Sequence, residues 1–113
     1  MSKELSSWIE ITVPSSLLKS LDKELDAAVN AIGGMTMTAG QGFYKRQDNG
    51  QIDFEQVAIL RWDFDYMRDG GEVFKATSAV TNKMLELGEE CVLRRRAYTV
   101  DESSYYKSEL IFK

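Results

Sequence analysis

The stretch Met35–Phe64, MTMTAGQGFYKRQDNGQIDFEQVAILRWDF, decides the fold. Asn49-Gly50 at its centre is the dipeptide favoured by a two-residue type I′ hairpin turn. Such a turn sets Met35 opposite Phe64, Met37 opposite Trp62 and Ala39 opposite Leu60, apolar on both sides and all on one face. The other face receives Thr36 with Asp63, Thr38 with Arg61, Gly40 with Ile59, and Gly42 with Val57. One alternation therefore predicts two strands, the turn between them and the side that is buried. Gly40 and Gly42 are the anomaly, because glycine in a strand weakens it and often marks a close approach.

Outward from the hairpin, the N-terminal SWIEITVP alternates Ile9, Ile11 and Val13 against Trp8, Glu10 and Thr12, the period of a half-buried strand. Pro14 ends it, and Ser15 or Ser16 caps a helix. Leu18, Leu21, Leu25, Ala28 and Ile32 give that helix one apolar stripe, and Gly33-Gly34 stop it. After the hairpin, Asp69 and Glu72 have capping-box spacing. Val73, Thr77, Val80, Met84 and Leu87 form a second buried stripe, with Gly88 as the stop. The end, CVLRRRAYTVDESSYYKSELIFK, reads as two strands around a turn at Asp101–Ser104, opposing Arg96 to Glu109 and Leu93 to Phe112.

The order is βαββαβ with an added strand. It predicts a single α+β domain over residues 1–113, a ferredoxin-like sandwich with both helices on one face of an antiparallel sheet. The core spans residues 8–100, and the added C-terminal strand covers 105–113. The covered face takes Ile9, Ile11, Val13, Met35, Met37, Ala39, Leu60, Trp62, Phe64 and Leu93. The open face takes Trp8, Glu10, Thr12, Tyr44, Val57, Ile59, Arg61, Arg94, Arg96 and Tyr98.

Composition narrows the function classes. With 113 residues, 43% hydrophobic and 28% charged, the chain reads as one ordinary globular domain. There is no apolar run of the roughly 18 residues a membrane span needs, and no hydrophobic leader. A lone cysteine, Cys91, fits a reducing compartment, so the expected location is cytoplasmic, or the host cytoplasm for a viral chain. A net charge of −4 disfavours nucleic acid and anionic membrane as partners. The chain contains no histidine, which removes the commonest general base, the commonest metal ligand and every His-based triad.

The chemistry-bearing motifs are thin. GQGF follows a helix and lacks the third glycine of a dinucleotide loop. GQGFYK falls on the second strand, whereas the aromatic RNA-binding signature belongs to the third. In DFDYMRDGGE, Met67 breaks the alternation a calcium loop needs, leaving a strand end and helix cap. Cys91, without a histidine to activate it, reads as a buried structural thiol. No catalytic constellation, metal site or cofactor motif emerges, so a non-enzymatic binding protein is expected.

Its surface is the open sheet face. Gly40 and Gly42 leave a low spot where a backbone or a planar ligand can approach. Arg61, Arg94 and Arg96 supply forked donors for an anionic, nucleotide-like ligand, with Trp8, Tyr44 and Tyr98 to stack on a base. The alternative pairs those arginines with Glu10, Glu55, Asp63 or Glu109 across strands. The exposed apolar residues also predict self-association to a dimer or trimer. A third use of the face is docking on a host protein.

The helix ending in GGMT, then GQGFYK, the hairpin, Glu55 and the strand VAILRW resemble those of many short bacteriophage and bacterial proteins. The layout over about residues 8–100 is also similar to the trimeric signalling superfamily of PII and CutA proteins. That resemblance implies a ferredoxin-like sheet used for association, with ligands or partners bound between subunits. The long partner-binding loop of PII proteins is not evident.

Overall fold

The computed structural model describes residues 2–113. Five strands and two helices follow the expected order: β1 (Ser7–Pro14), α1 (Asp22–Ile32), β2 (Thr36–Lys45), β3 (Ile52–Phe64), α2 (Tyr66–Glu86), β4 (Cys91–Val100) and β5 (Ser103–Phe112). The strands form one antiparallel sheet in the order β2-β3-β1-β4-β5. The first four are ordered as in a ferredoxin-like βαββαβ unit, and β5 extends it beyond β4. Both helices pack on one face, where Ile9, Ile11, Leu60 and Trp62 meet Leu25, Ala28, Val73 and Val80 in a continuous core.

The helix boundaries differ from the sequence expectation at identifiable places. Pro14 leads into two single 3-10 turns, Ser15–Leu17 and Lys19–Leu21, before α1 begins at Asp22. Gly33 closes α1 at φ +105°, the left-handed conformation glycine adopts without penalty, and its N–H donates to the Val29 carbonyl at 2.7 Å. Helix α2 starts at Tyr66, upstream of Asp69, because Asp65 is the cap: its carboxylate accepts from the Met67 N–H at 3.2 Å. Gly70 then lies buried in the first turns, beneath the Tyr66 ring. In the buried stripe the Thr77 hydroxyl donates to the Val73 carbonyl (2.8 Å) and Thr81 to that of Thr77 (3.1 Å), which satisfies both polar groups within the helix. Because α2 ends at Glu86, Leu87 is left 40% exposed rather than in the stripe.

Both hairpin registers are shifted by two residues. In β2–β3, Met37 faces Leu60 and Gly40 faces Val57. The connection is a four-residue loop, Gln47–Gly50, closed by Arg46 N–H to the Gln51 carbonyl (2.7 Å) and Gly50 N–H to the Arg46 carbonyl (3.1 Å). Only Gly50, at φ +72°, is left-handed; a type I′ turn needs the same of Asn49, whose side chain instead accepts from the Gln51 N–H at 2.9 Å. In β4–β5, Arg94 faces Glu109, and the turn tightens to Asp101-Glu102 with Asp101 at φ +55°. A two-residue shift preserves the face of every side chain, so the expected two-sided pattern of the β2–β3 hairpin survives.

A one-residue difference has larger effects. Ile9 pairs with Arg96 and Ile11 with Arg94, so Arg94, Arg96 and Tyr98 lie on the helix side of β4. Leu93, Arg95 and Ala97 take the open side, opposite to the sequence expectation. The buried residue of this strand is Val92, at 1% exposure, rather than Leu93. Strand β2 also differs: it stands at the sheet edge outside the helix layer, leaving Met37 50% exposed and Ala39 exposed as well.

Candidate functional site

The residues named from the sequence divide between the two faces. Trp8, Gly40, Gly42 and Arg61 share the open face, whereas Arg94, Arg96 and Tyr98 are on the other, so no single ligand meets all seven. Their charges are already matched. Arg61 lies over the Trp8 ring at 4.6 Å and pairs with Asp63 (3.2 Å) and Glu10 (3.7 Å). Arg94 donates to Glu109 at 2.8 Å, and Arg96 reaches the same carboxylate at 3.7 Å while lying over Phe74. Tyr98 is stacked between Tyr66 and Tyr105, with ring centres 4.8 and 5.3 Å away. These are the cross-strand pairings offered above as the alternative to an anion site.

The low spot has a different explanation from either one expected. A Cβ at Gly42 would lie 2.5 Å from the Tyr44 ring and hydroxyl, so the Tyr44 side chain folds back along β2 and covers Gly42. Gly42 is bare because Tyr44 occupies its space. At Gly40 the nearest atom to an added Cβ would be Val57 Cγ2 at 3.4 Å, an ordinary contact.

Tyr44 borders a groove of about 550 Å³ that crosses the open face. Its floor is Thr12 and Pro14 of β1 and Leu93 of β4, and Leu110 and Phe112 of β5 close the far side. The segment between α2 and β4 brings Glu89 and Glu90 to the same groove, β4 brings Cys91, and β3 brings Asp53 and Glu55. Sheet alternation places Tyr44, Asp53 and Glu55 together on this face, and Gly88 at φ +108° turns the chain so that Glu89 can follow.

The electrostatics are one-sided. Among the described residues no ion pair neutralises Glu55, Glu89 or Glu90. Burial, and then the Glu55 charge, raise the Glu89 carboxyl above the usual range. Burial also raises the Tyr44 phenol, with Glu55, Glu89 and Cys91 adding to it. The Cys91 thiol rises for the same reasons, burial first and then Glu90 and Glu89. Each shift has the sign of a site short of positive charge. A second groove of about 500 Å³, beside Gly33, contains the paired Arg61 and Asp63 and has no such imbalance. Among the described residues no group of histidine, cysteine or carboxylate side chains is placed to hold a metal ion. Among the described residues no helix is long and apolar enough to cross a membrane.

The sequence pattern shows only part of this groove. Alternation puts Tyr44 on the open face, but the three arginines point to an anion rather than a cation. Glu89 and Glu90 fall in a loop whose position no periodicity reveals.

No protein-family model matches the chain, and no curated protein matches it in sequence. Solved structures do match in fold. A phage SAM lyase in complex with S-methyl-5'-thioadenosine aligns over 96% of both chains at TM-score 0.64 and 14% identity. A phage SAM lyase in the apo state aligns over 96% of both chains at TM-score 0.56 and 13% identity. Neither is a PII or CutA protein, so that part of the resemblance is not supported, while the small phage α+β layout is. The comparison also corrects the expectation of a non-enzymatic protein, because both neighbours, alike in fold over 96% of their length, are lyases; a nucleotide-like ligand is compatible with it.

Proposed function

We propose that this chain is a lyase of phage type that binds S-adenosylmethionine in the groove between Tyr44 and Glu89 and splits it to S-methyl-5'-thioadenosine. The observation that carries the reading is the set of unneutralised carboxylates Glu55, Glu89 and Glu90 in an aromatic-edged groove. Such a site suits a substrate bearing a sulfonium and an ammonium, while Phe112 and Leu110 offer apolar surface to its adenosine. The likeness to a SAM lyase holding the thioether product supports the same substrate.

The reaction asks little of the protein's acid–base groups. The carbon–sulfur bonding pair passes to sulfur, which becomes neutral, as the four-carbon fragment's own carboxylate oxygen forms the new bond to that carbon and closes a lactone, so no proton is transferred. The work that remains is orientation and charge, for which the wall of Glu55, Glu89 and Glu90 faces the sulfonium and Tyr44 packs beside it. The test is incubation of purified protein with S-adenosylmethionine and chromatography of the products. Appearance of S-methyl-5'-thioadenosine above the buffer control is expected, and its absence together with no binding of substrate or product overturns the reading.

We also infer that the working form is a self-association of this chain. Phe43, Ile52 and Phe54, between 52% and 69% exposed, lie with Met37 on the helix-side face of β2 and β3 where no helix covers them. A hairpin this apolar is characteristic of surface buried against another subunit. Native mass spectrometry reads the subunit number; a monomer at micromolar concentration overturns this part alone.

A further inference from the structure

The groove's charge differs from the charge of what the reaction leaves behind. The substrate's sulfur is positive, and the product's sulfur is neutral. On the reading of this groove as the S-adenosylmethionine site, we propose that the wall of Glu55, Glu89 and Glu90 selects ligands by positive charge at sulfur, so that a sulfonium is held and an uncharged thioether is released.

The geometry supports selection at this place. Three carboxylates from two separate segments, β3 and the α2–β4 connection, converge on one groove, and the one base bordering it is the exposed Lys45 at the end of the hairpin. Among the described residues that line the groove with Glu89, Lys45 alone opposes the negative field. The β2–β3 hairpin contributes Asp53, Glu55, the neutral Tyr44 phenol and Lys45, and Glu89's own segment contributes Glu90 and the Cys91 thiol. From β1 come Thr12 and Pro14, and from β5 Leu110 and Phe112, none of which titrates. Asp53 is the exception to the imbalance, since it is bonded to Arg46. A neutral ligand therefore enters a groove whose carboxylates still repel one another, whereas a cation relieves that repulsion.

A proton linkage follows. Glu89 is held above the usual carboxylate range in the empty groove by burial and by Glu55. A cation beside it favours the ionised form, so binding a positive ligand expels protons as the pH approaches the carboxylate range from above. Binding a neutral thioether lacks this effect.

The experiment is isothermal titration calorimetry on the full purified chain, with S-adenosylhomocysteine and with sinefungin. The two share the adenosine and amino-acid ends; sinefungin carries a protonated amine where the substrate has its sulfonium, and S-adenosylhomocysteine has a neutral sulfur. We expect sinefungin to bind about tenfold tighter or better, an order-of-magnitude figure for one partly solvated ion pair. In Glu55→Gln/Glu89→Gln, with its fold checked by circular dichroism, the ratio should fall towards one. Repetition near pH 5 in two buffers of different ionisation enthalpy should show more proton release with sinefungin than with S-adenosylhomocysteine, which lacks the charge at sulfur.

Equal affinities in the parent chain overturn the charge selection and leave the groove reading standing. So does a double variant that loses both ligands by the same factor, the mark of a structural role. Failure of sinefungin, S-adenosylhomocysteine and S-methyl-5'-thioadenosine alike to bind overturns the site reading and the selection with it.

Discussion

Two groups of carboxylates sit on the same sheet under opposite conditions. On the helix side, Glu109 is bonded by Arg94 and approached by Arg96 and Lys107. On the open side, Glu55, Glu89 and Glu90 share a groove with no matched cation among the described residues. Burial alone would raise the Glu109 carboxyl, but its hydrogen bond from Arg94 and the charges of Arg94, Arg96 and Lys107 outweigh this and hold it below the usual range. Burial and Glu55 push Glu89 the other way. A charge that is balanced serves the fold, and one left unbalanced is kept for something that arrives from outside. Each substitution below asks one of these regions to behave like the other.

The largest effect is expected at Glu55. The variant Glu55→Gln removes the charge that reaches both Tyr44 and Glu89 while keeping shape. Formation of S-methyl-5'-thioadenosine should fall by about a hundredfold, the scale for loss of one preorganised electrostatic group. The thermal midpoint should stay within a few degrees of the parent. Full turnover in this variant would remove the groove from the chemistry.

Gly42→Ala comes next and tests the position of a side chain instead of a charge. The added methyl falls 2.5 Å from the Tyr44 ring, so Tyr44 must leave its place along β2. A tenfold weakening of ligand binding is about what a displaced packing group costs. The same change at Gly40, where the nearest atom is at 3.4 Å, should leave affinity within about twofold. Equal losses at both positions would mean that the strand rather than Tyr44 matters.

That contrast bears on how much could be read from the sequence. The hairpin from Met35 to Phe64 announced itself, because alternation over two strands constrains faces even when the turn type is wrong. The same rule failed in β4. There, Val92 and Leu93 are both apolar, three arginines follow, and nothing local says which side they take. The answer lay in the pairing of Ile9 with Arg96, a contact between the two ends of the chain. The helix starts earlier than expected because the capping-box spacing of Asp69 and Glu72 points to the later start, while Asp65 caps the helix upstream of it. The groove was missed for a similar reason. Tyr44 and Glu55 share the hairpin, and Glu89 joins them only when β3, β1 and β4 lie side by side. Individual strands were legible, but the junction that joins them into a site was not.

Glu109→Gln tests the balanced region and should affect stability alone. It weakens a charge-assisted bond of 2.8 Å at a side chain only 20% exposed, with an expected loss of about 1 kcal/mol. The pH dependence has a definite sign. A carboxyl lowered in the folded state contributes stability that is present above its ordinary value and is lost as the pH falls through the folded one. The parent should therefore lose thermal stability on acidification below about pH 4.5, and the variant should lose less. Product formation at neutral pH should be unchanged.

Glu89→Gln should do the reverse by a smaller amount. A carboxyl raised in the folded state binds its proton more tightly there than in the unfolded chain, so stability falls as the pH rises from its ordinary value through the raised one. Above that window the parent carries the cost of an ionised, partly buried side chain facing Glu55, and glutamine does not. Solvent screens the group, so the gain is set at about 0.5 kcal/mol, or 2 to 3 °C at neutral pH. Near pH 4, where Glu89 is protonated in the folded and largely in the unfolded chain, the two midpoints should converge. Stabilisation at pH 7 with weakened binding of sinefungin would place Glu89 among the residues that a protein keeps for function at the expense of stability. A lower midpoint at pH 7 would instead make Glu89 a second Glu109, structural and already satisfied, and would erase the contrast between the two faces.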